Sequence, residues 1–184
     1  MRGDSECYNR FLEGDTASYD ELMIRYGDAL TFYLFGYLHN WHDAEDLMIE
    51  AFARIMVKKP RIREGSFKAY LYKTARNLAT RFHERKSRWN SFDFDELKGE
   101  IPDLTLPEET LWNEERKKIL HLCLERIDPV LKEALWLVYL EDLSYAEAAA
   151  VMGVNTKRVD HLLTRGKEHL RKELAKEGMN HADE

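Results

Sequence analysis

Apolar residues recur at three- and four-residue steps along most of this chain, and no stretch alternates cleanly as a half-buried strand does. The pattern predicts an all-α protein. From Ser18, where "SYDE" spells a capping box with Glu21, the periodicity predicts a helix running to about Leu38. Over 42–58 a second helix keeps Ala44, Leu47, Met48, Ala51, Phe52, Ile55 and Met56 on one side, and Pro60 ends it. A third helix, 67–88, has Ser66 as its cap and turns Leu71, Ala75, Leu78, Ala79 and Phe82 inward.

The periodicity stops at "SFDFDELKGEIPDLTLPEE", Ser91 to Glu109, which holds two prolines, a glycine, seven acids and one lysine. It reads as an acidic linker. Helices resume at about 108–126. Asp128 then Pro129 places an N-cap before a proline at the first helical position and opens a helix to about Leu140. "SYAE", Ser144 to Glu147, is a second capping box; its short helix ends at Gly153. Asn155 or Thr156 caps the last helix, which runs to about Leu174. The expected architecture is two small helical domains, 1–90 and 108–184, joined by a linker at 91–107.

Charge changes this picture. The 184 residues carry a formal net charge of −6, yet residues 61–90 hold nine basic and two acidic residues, net +7. Residues 154–172 hold six basic and two acidic, net +4. Two basic islands in an acidic chain suit contact with phosphates, while the acidic remainder repels stray nucleic acid or meets protein partners.

Each island has a helical face. Residues 144–174 have helix-turn-helix spacing. On the last helix Val159, Leu162, Leu163, Gly166 and Leu170 share one side, and Lys157, Arg158, His161, Arg165 and Glu168 the other. Arg158, in the N-terminal part of the helix, is placed to read base edges; Arg165 and Lys167, further along, are placed to hold phosphates. On 67–88, Tyr70, Lys73, Asn77 and Thr80 share the polar side with Arg76 flanking it, and Arg61, Arg63, Lys68, Arg81, Arg85, Lys86 and Arg88 enlarge the positive field. A ring for stacking, an amide and cations for phosphate suit single-stranded DNA. On 42–58, Ile49 lies roughly 120° from the centre of the apolar stripe, beside Asp46, Glu50 and Ala53. That patch fits protein docking or a harmless lone isoleucine. For the two basic faces the competing reading is an ordinary solvated surface.

Other chemistry is thin. Cys7 and Cys123 form no CxxC and read as free thiols of a reducing cytosol. "MRGDSECYNRFLEGD" lacks an apolar leader core, and no run approaches the ~18 apolar residues of a membrane span, so a cytoplasmic protein without membrane insertion is expected. His39 and His42 form HxxH with no third ligand nearby, and no phosphate-cradling glycine loop occurs. We therefore expect no metal, no cofactor and no catalysis by this chain alone.

Three motifs carry a resemblance. "DAEDLMIEAFARIM" (Asp43 to Met56), "SFKAYLYKTARNLA" (Ser66 to Ala79) and "LSYAEAAAVMGVNTKRVDHLLTRGKEHLRKEL" (Leu143 to Leu174) occur in the order found in extracytoplasmic-function (group IV, sigma-70 family) RNA polymerase sigma factors, which the chain resembles over most of residues 15–175. The resemblance implies a sigma-2 domain at 1–90 that docks on core RNA polymerase through a surface including Asp46, Ile49, Glu50 and Ala53. That domain would capture the opened minus-ten element of promoter DNA with Tyr70, Lys73, Arg76, Asn77 and Thr80. It also implies a sigma-4 domain at 108–184 reading the minus-thirty-five element with Lys157, Arg158, His161, Arg165 and Lys167. Many members are held inactive by an anti-sigma factor, which makes one an expected partner. The chain departs from the family pattern at Ile49, where Gln is usual, at Thr80 and Arg81, at Asp160 and Leu162, where cations are usual, and at Gly166, where Ala is usual. The competing function is a helix-turn-helix regulator that is not a polymerase subunit. The aromatic and basic face at 67–88 separates the two, because a duplex-only regulator has no need of it.

Overall fold

The computed structural model describes residues 3–89 and 119–178. They belong to two compact units. The expected linker at 91–107, and the first part of the helix expected at 108–126, lie outside the described residues.

In the first unit α1 spans Asp4–Leu12, α2 Thr16–Leu38, α3 Trp41–Lys58 and α4 Phe67–Trp89. Helix α1 is not evident in the periodicity, because its apolar residues fill scarcely more than one turn. Yet Cys7, Tyr8 and Phe11 are all buried, against α2 and α4. Helix α2 begins before the predicted cap. Asp15, not Ser18, is the N-cap and accepts from the Ser18 N–H. Ser18 is instead a buried first-turn residue whose hydroxyl donates to Asp15 at 2.8 Å. Asp15 wins because its carboxylate also accepts from Arg10 Nε at 3.0 Å. The Ser18 hydroxyl first, and Arg10 after it, hold that carboxyl below its ordinary range.

His39 turns the chain out of α2 in the left-handed region at φ 50°, and Asn40 then caps α3 by accepting from Asp43 N–H. Lys59, at φ 43°, ends α3 one residue before Pro60, the stop that proline imposes. Ser66 directly precedes α4, and its carbonyl accepts from Tyr70 N–H at 3.0 Å. The core joins Tyr19, Leu22, Leu30 and Leu34 of α2, Leu47, Phe52 and Ile55 of α3, and Phe67, Leu71, Tyr72 and Leu78 of α4. Full burial of one such side chain contributes about 1.5–3 kcal/mol. Tyr19 adds direction: its hydroxyl donates to the Phe52 carbonyl at 2.7 Å inside the core, and burial raises its pKa. The core is narrower than the apolar stripe predicted it to be. Met56, in the last turn of α3, is 44% exposed, and Phe82 is half-buried.

In the second unit residues 119–125 are helical (α5). Then come α6 (Pro129–Leu135), a π-helical turn (Trp136–Leu140), α7 (Tyr145–Met152) and α8 (Thr156–Lys176). Asp128 caps α6, with Pro129 in the first turn. The helix expected to reach Leu140 widens after Leu135. There Glu141 N–H donates back to the Trp136 carbonyl at 3.0 Å, and Trp136 Nε1 donates to the buried carboxylate of Glu141 at 3.1 Å. The wider turn lets one residue pair close two bonds. Both halves of the Ser144–Glu147 capping box are made. Gly153 ends α7 at φ 70°, a conformation that favours glycine. Asn155 caps α8.

Helix α8 crosses α6 at Gly166. A Cβ there would stand 3.1 Å from Cγ and Cδ1 of Leu135 and 3.4 Å from the Leu131 carbonyl. Glycine lowers helix propensity by about 1 kcal/mol relative to alanine, and here it permits the close approach. Because overpacking a filled site costs about 1–3 kcal/mol, Gly166→Ala should lower stability by about 1 kcal/mol instead of raising it. Urea unfolding followed by circular dichroism checks this, and a higher midpoint would show that Leu135 yields freely.

Candidate nucleic-acid interface and docking surface

The geometry of α8 starts at its cap. Asn155 Oδ1 accepts from the Arg158 N–H at 2.8 Å and fixes the backbone of the first turn. Val159, Leu162, Leu163 and Gly166 are buried, which turns Lys157, Arg158, His161 and Arg165 out to solvent. Leu162 is 2% exposed, so the missing cation at that position belongs to the core side of the helix. Lys167 stands apart from the exposed stripe. It is half-buried, and its ammonium lies 5.6 Å from the centre of the Tyr139 ring. A hydrogen bond to Tyr139 holds that ammonium above its ordinary range. Glu168 is paired with Lys172 at 2.9 Å, so its charge is offset beside the stripe.

On α4, burial of Leu71, Tyr72, Ala75, Leu78 and Ala79 leaves Lys73, Asn77 and Thr80 exposed, with Tyr70 and Arg76 half-buried at the flanks. The Thr80 hydroxyl donates to the Arg76 carbonyl at 3.0 Å, so it is bound to its own helix. Arg81, Arg85 and Lys86 extend the exposed cationic run. Lys68 lies 5.7 Å from both the Tyr26 and the Tyr72 ring centres. His83 does not join the run; its Nε2 lies 2.7 Å from the Tyr37 carbonyl and ties the end of α4 to α2. The side chain of Arg88 lies outside what is described.

On α3, Ile49 is 54% exposed. Asp46 is exposed beside it, Ala53 is half-buried, and Glu50 accepts from Arg54 at 2.6 Å. The sequence reading missed two larger exposures, Ile24 at 83% and Val57 at 79%. Each sits two residues, about 200° of helix, from the buried Leu22 or Ile55. That offset is the same signal that singled out Ile49.

Among the described residues no group of three His, Cys, Asp or Glu side chains could hold a metal. Cys7 and Cys123 are buried thiols outside any disulfide. No described helix is long and apolar enough to cross a membrane.

Among the described residues these elements define a class: an all-helical protein with a helix-turn-helix in its second unit and a separate aromatic and cationic helix face in its first. The comparisons carry this further. Sigma-70 region 2 matches residues 22–89, and sigma-70 region 4 matches residues 117–170. The ECF RNA polymerase sigma factor SigE of Mycolicibacterium smegmatis is 31% identical over 170 residues, covering 89% of this chain. The chain spans 65% of that relative's length. The ECF sigma-E factor of Escherichia coli is 26% identical over 174 residues, covering 90% of this chain and 91% of its own. Two solved structures share the fold. CnrH, in complex with the cytosolic domain of CnrY, has a TM-score of 0.67 at 18% identity, with 94% of this chain and 97% of that one covered. RpoE of Bartonella quintana, in complex with the anti-sigma factor NepR, has a TM-score of 0.66 at 20% identity, with 85% and 96% covered. The chain belongs to the sigma-70 family, in its extracytoplasmic-function group.

Proposed function

We propose that this chain binds core RNA polymerase and directs promoter recognition, promoter melting and transcription initiation as a non-catalytic, cytoplasmic subunit. The observation that supports it most is the presence of two chemically different cationic faces. The α8 face is cationic and exposed at a helix-turn-helix, which suits duplex. The α4 face adds Tyr70 and Asn77 to its cations, which suits an opened strand. A regulator that reads only duplex leaves the second face without a use.

In this reading residues 1–90 are the sigma-2 domain, 91–107 the linker and 108–184 the sigma-4 domain. Asp46, Ile49, Glu50 and Ala53 dock on polymerase. Tyr70, Lys73, Arg76, Asn77 and Thr80 meet the minus-ten strand; Lys157, Arg158, His161, Arg165 and Lys167 meet the minus-thirty-five duplex. An anti-sigma factor, the kind of partner seen with Bartonella quintana RpoE, is the further partner this reading expects.

In-vitro transcription with core polymerase on the DNA upstream of the chain's own gene tests the function directly; a template left silent refutes it. Within that assay Tyr70→Ala should reduce open-complex formation by about tenfold, the loss of one stacked base. A template with the bubble already open should relieve the melting defect. Normal melting by the variant would make Tyr70 a packing residue.

Ile49→Lys should weaken core polymerase binding and leave the fold intact, since Ile49 contributes little to the core. A pull-down in which the variant binds as well as the parent rejects the docking assignment.

On α8, Arg158→Ala should cost about 1–3 kcal/mol and relax preference at one promoter position. Arg165→Ala should weaken all duplexes alike and flatten the salt dependence by about one unit of slope. Binding of both variants to a set of single-base promoter changes separates the roles; a uniform loss with Arg158→Ala contradicts them.

A further inference from the structure

Helix α8 carries two acids on a surface otherwise built from cations. Residues 154–172 hold six basic residues against Asp160 and Glu168. The two acids differ. Glu168 accepts from Lys172 at 2.9 Å, and that hydrogen bond holds its carboxyl below the ordinary carboxylate range. Asp160 is exposed, and among the described residues no ion pair or hydrogen bond engages its carboxylate. The Thr164 hydroxyl, one turn further on, does not satisfy it, because its hydrogen goes to the Asp160 backbone carbonyl at 3.0 Å. Asp160 is therefore an uncompensated negative charge on the face assigned to a polyanion.

Its place on the helix matters as much as its charge. Asp160 is the fifth residue of α8, and the Asn155 cap fixes the backbone of the turn before it. An inserted helix contacts base edges mostly through its N-terminal residues. At 3.6 residues per turn Lys157, Asp160, His161 and Thr164 lie within about 100° of one another around the axis, and all four are exposed. A carboxylate carried there into a groove is repelled by the phosphates on both sides. It gains only where it meets a donor. In the major groove the donors are the cytosine N4 amine and the adenine N6 amine. The adenine amine lies beside N7, an acceptor that repels a carboxylate; guanine offers O6 and N7, and thymine O4, all acceptors. Cytosine alone presents its donor with no acceptor beside it on the same base.

We propose that Asp160 is a specificity-determining residue of α8: its carboxylate accepts from the N4 amine of one cytosine in the minus-thirty-five duplex and so selects a C·G pair at that position. The proposal rests on the assignment of α8 to that duplex. The same charge acts in reverse on other sequences. Where another base stands there, the carboxylate meets an acceptor and stays repelled by phosphate, so wrong duplexes are held less tightly. Selection and rejection come from one side chain, while Arg165 holds phosphate whatever the sequence.

The test uses the full chain assembled with core polymerase. Binding is measured to duplexes carrying every single-base change across the minus-thirty-five element upstream of the chain's own gene. The parent should show one C·G pair whose replacement weakens binding by about tenfold. Asp160→Ala should flatten the preference at that position alone and tighten binding to an unrelated duplex, with thermal stability unchanged because the side chain is exposed. Asp160→Asn should move the preference there to A·T, since a carboxamide accepts from adenine N6 and donates to N7. Uniform tightening on every duplex with Asp160→Ala, and no position at which base preference changes, overturns the proposal. So does a position-specific change at a pair other than C·G, or an Asp160→Asn variant that keeps the parent's full preference. Arg165→Ala serves as the reference. If it weakens duplex binding while the Asp160 variants leave base preference as it was, only the role of Asp160 falls; if it has no effect, the α8 assignment falls and takes this inference with it.

Discussion

A helix packed on its neighbours buries one stripe and leaves the opposite face to water, and this constraint governs the exposed faces of α3, α4 and α8. On α3 the buried Ala44, Leu47, Ala51, Phe52 and Ile55 force Asp46, Ile49 and Glu50 outward. On α4 the buried Leu71, Tyr72, Ala75, Leu78 and Ala79 force Lys73 and Asn77 outward. On α8 the buried Val159, Leu162, Leu163 and Gly166 do the same for Arg158, His161 and Arg165. The core thus orients the functional faces. A residue that slipped from stripe to face would cost burial energy of about 1.5–3 kcal/mol, enough to keep each face in register.

Hydrogen bonds add direction to that burial. In the first unit the Tyr19 hydroxyl on the Phe52 carbonyl and the Tyr8 hydroxyl on the Pro60 carbonyl join segments far apart in the chain. A hydrophobic contact tolerates sliding; a buried hydroxyl donating to one carbonyl does not, because losing the bond leaves polar atoms unsatisfied. In the second unit the bond from Trp136 to Glu141 spans only the π turn, and the distant join is the close approach of Gly166 to Leu135. That approach sets where α8 lies on α6, and so where its exposed stripe points.

The charge distribution fits a division of labour. With a net charge of −6 the whole chain is repelled by DNA at long range, and within a Debye length the basic faces of α4 and α8 reverse that sign locally. Binding then depends on presenting a particular face to phosphate. Several cations also have partners within the protein: Lys167 beside Tyr139, Arg54 on Glu50, Lys68 near two tyrosine rings. These partners compete with phosphate for them, so a count of basic residues along the chain is not a count of equally available cations.

What the sequence determined alone is what depends on neighbours within four residues. The apolar stripes of α3, α4 and α8, the caps at Asp128 and Ser144, the cap of α8 to within Asn155 or Thr156, and the stop at Gly153 were legible because each is a local hydrogen bond or a period of 3.6. The exposure of Ile49, Arg158, His161 and Arg165 followed from the same period. Tertiary structure alone decided the rest. Where the pattern along the chain pointed to Ser18 as the cap, Asp15, held by Arg10 of the previous helix, caps α2 instead. A partner surface on α2 and α4 made a helix of the short stretch Asp4–Leu12, whose own apolar signal is a single turn. A buried carboxylate meeting an indole accompanied the π turn. Tyr139 drew Lys167 to the flank of α8, and Leu135 gave Gly166 its purpose. Each of these depends on which distant residue arrives as a neighbour, and periodicity, which reads only along one helix, carries no record of that.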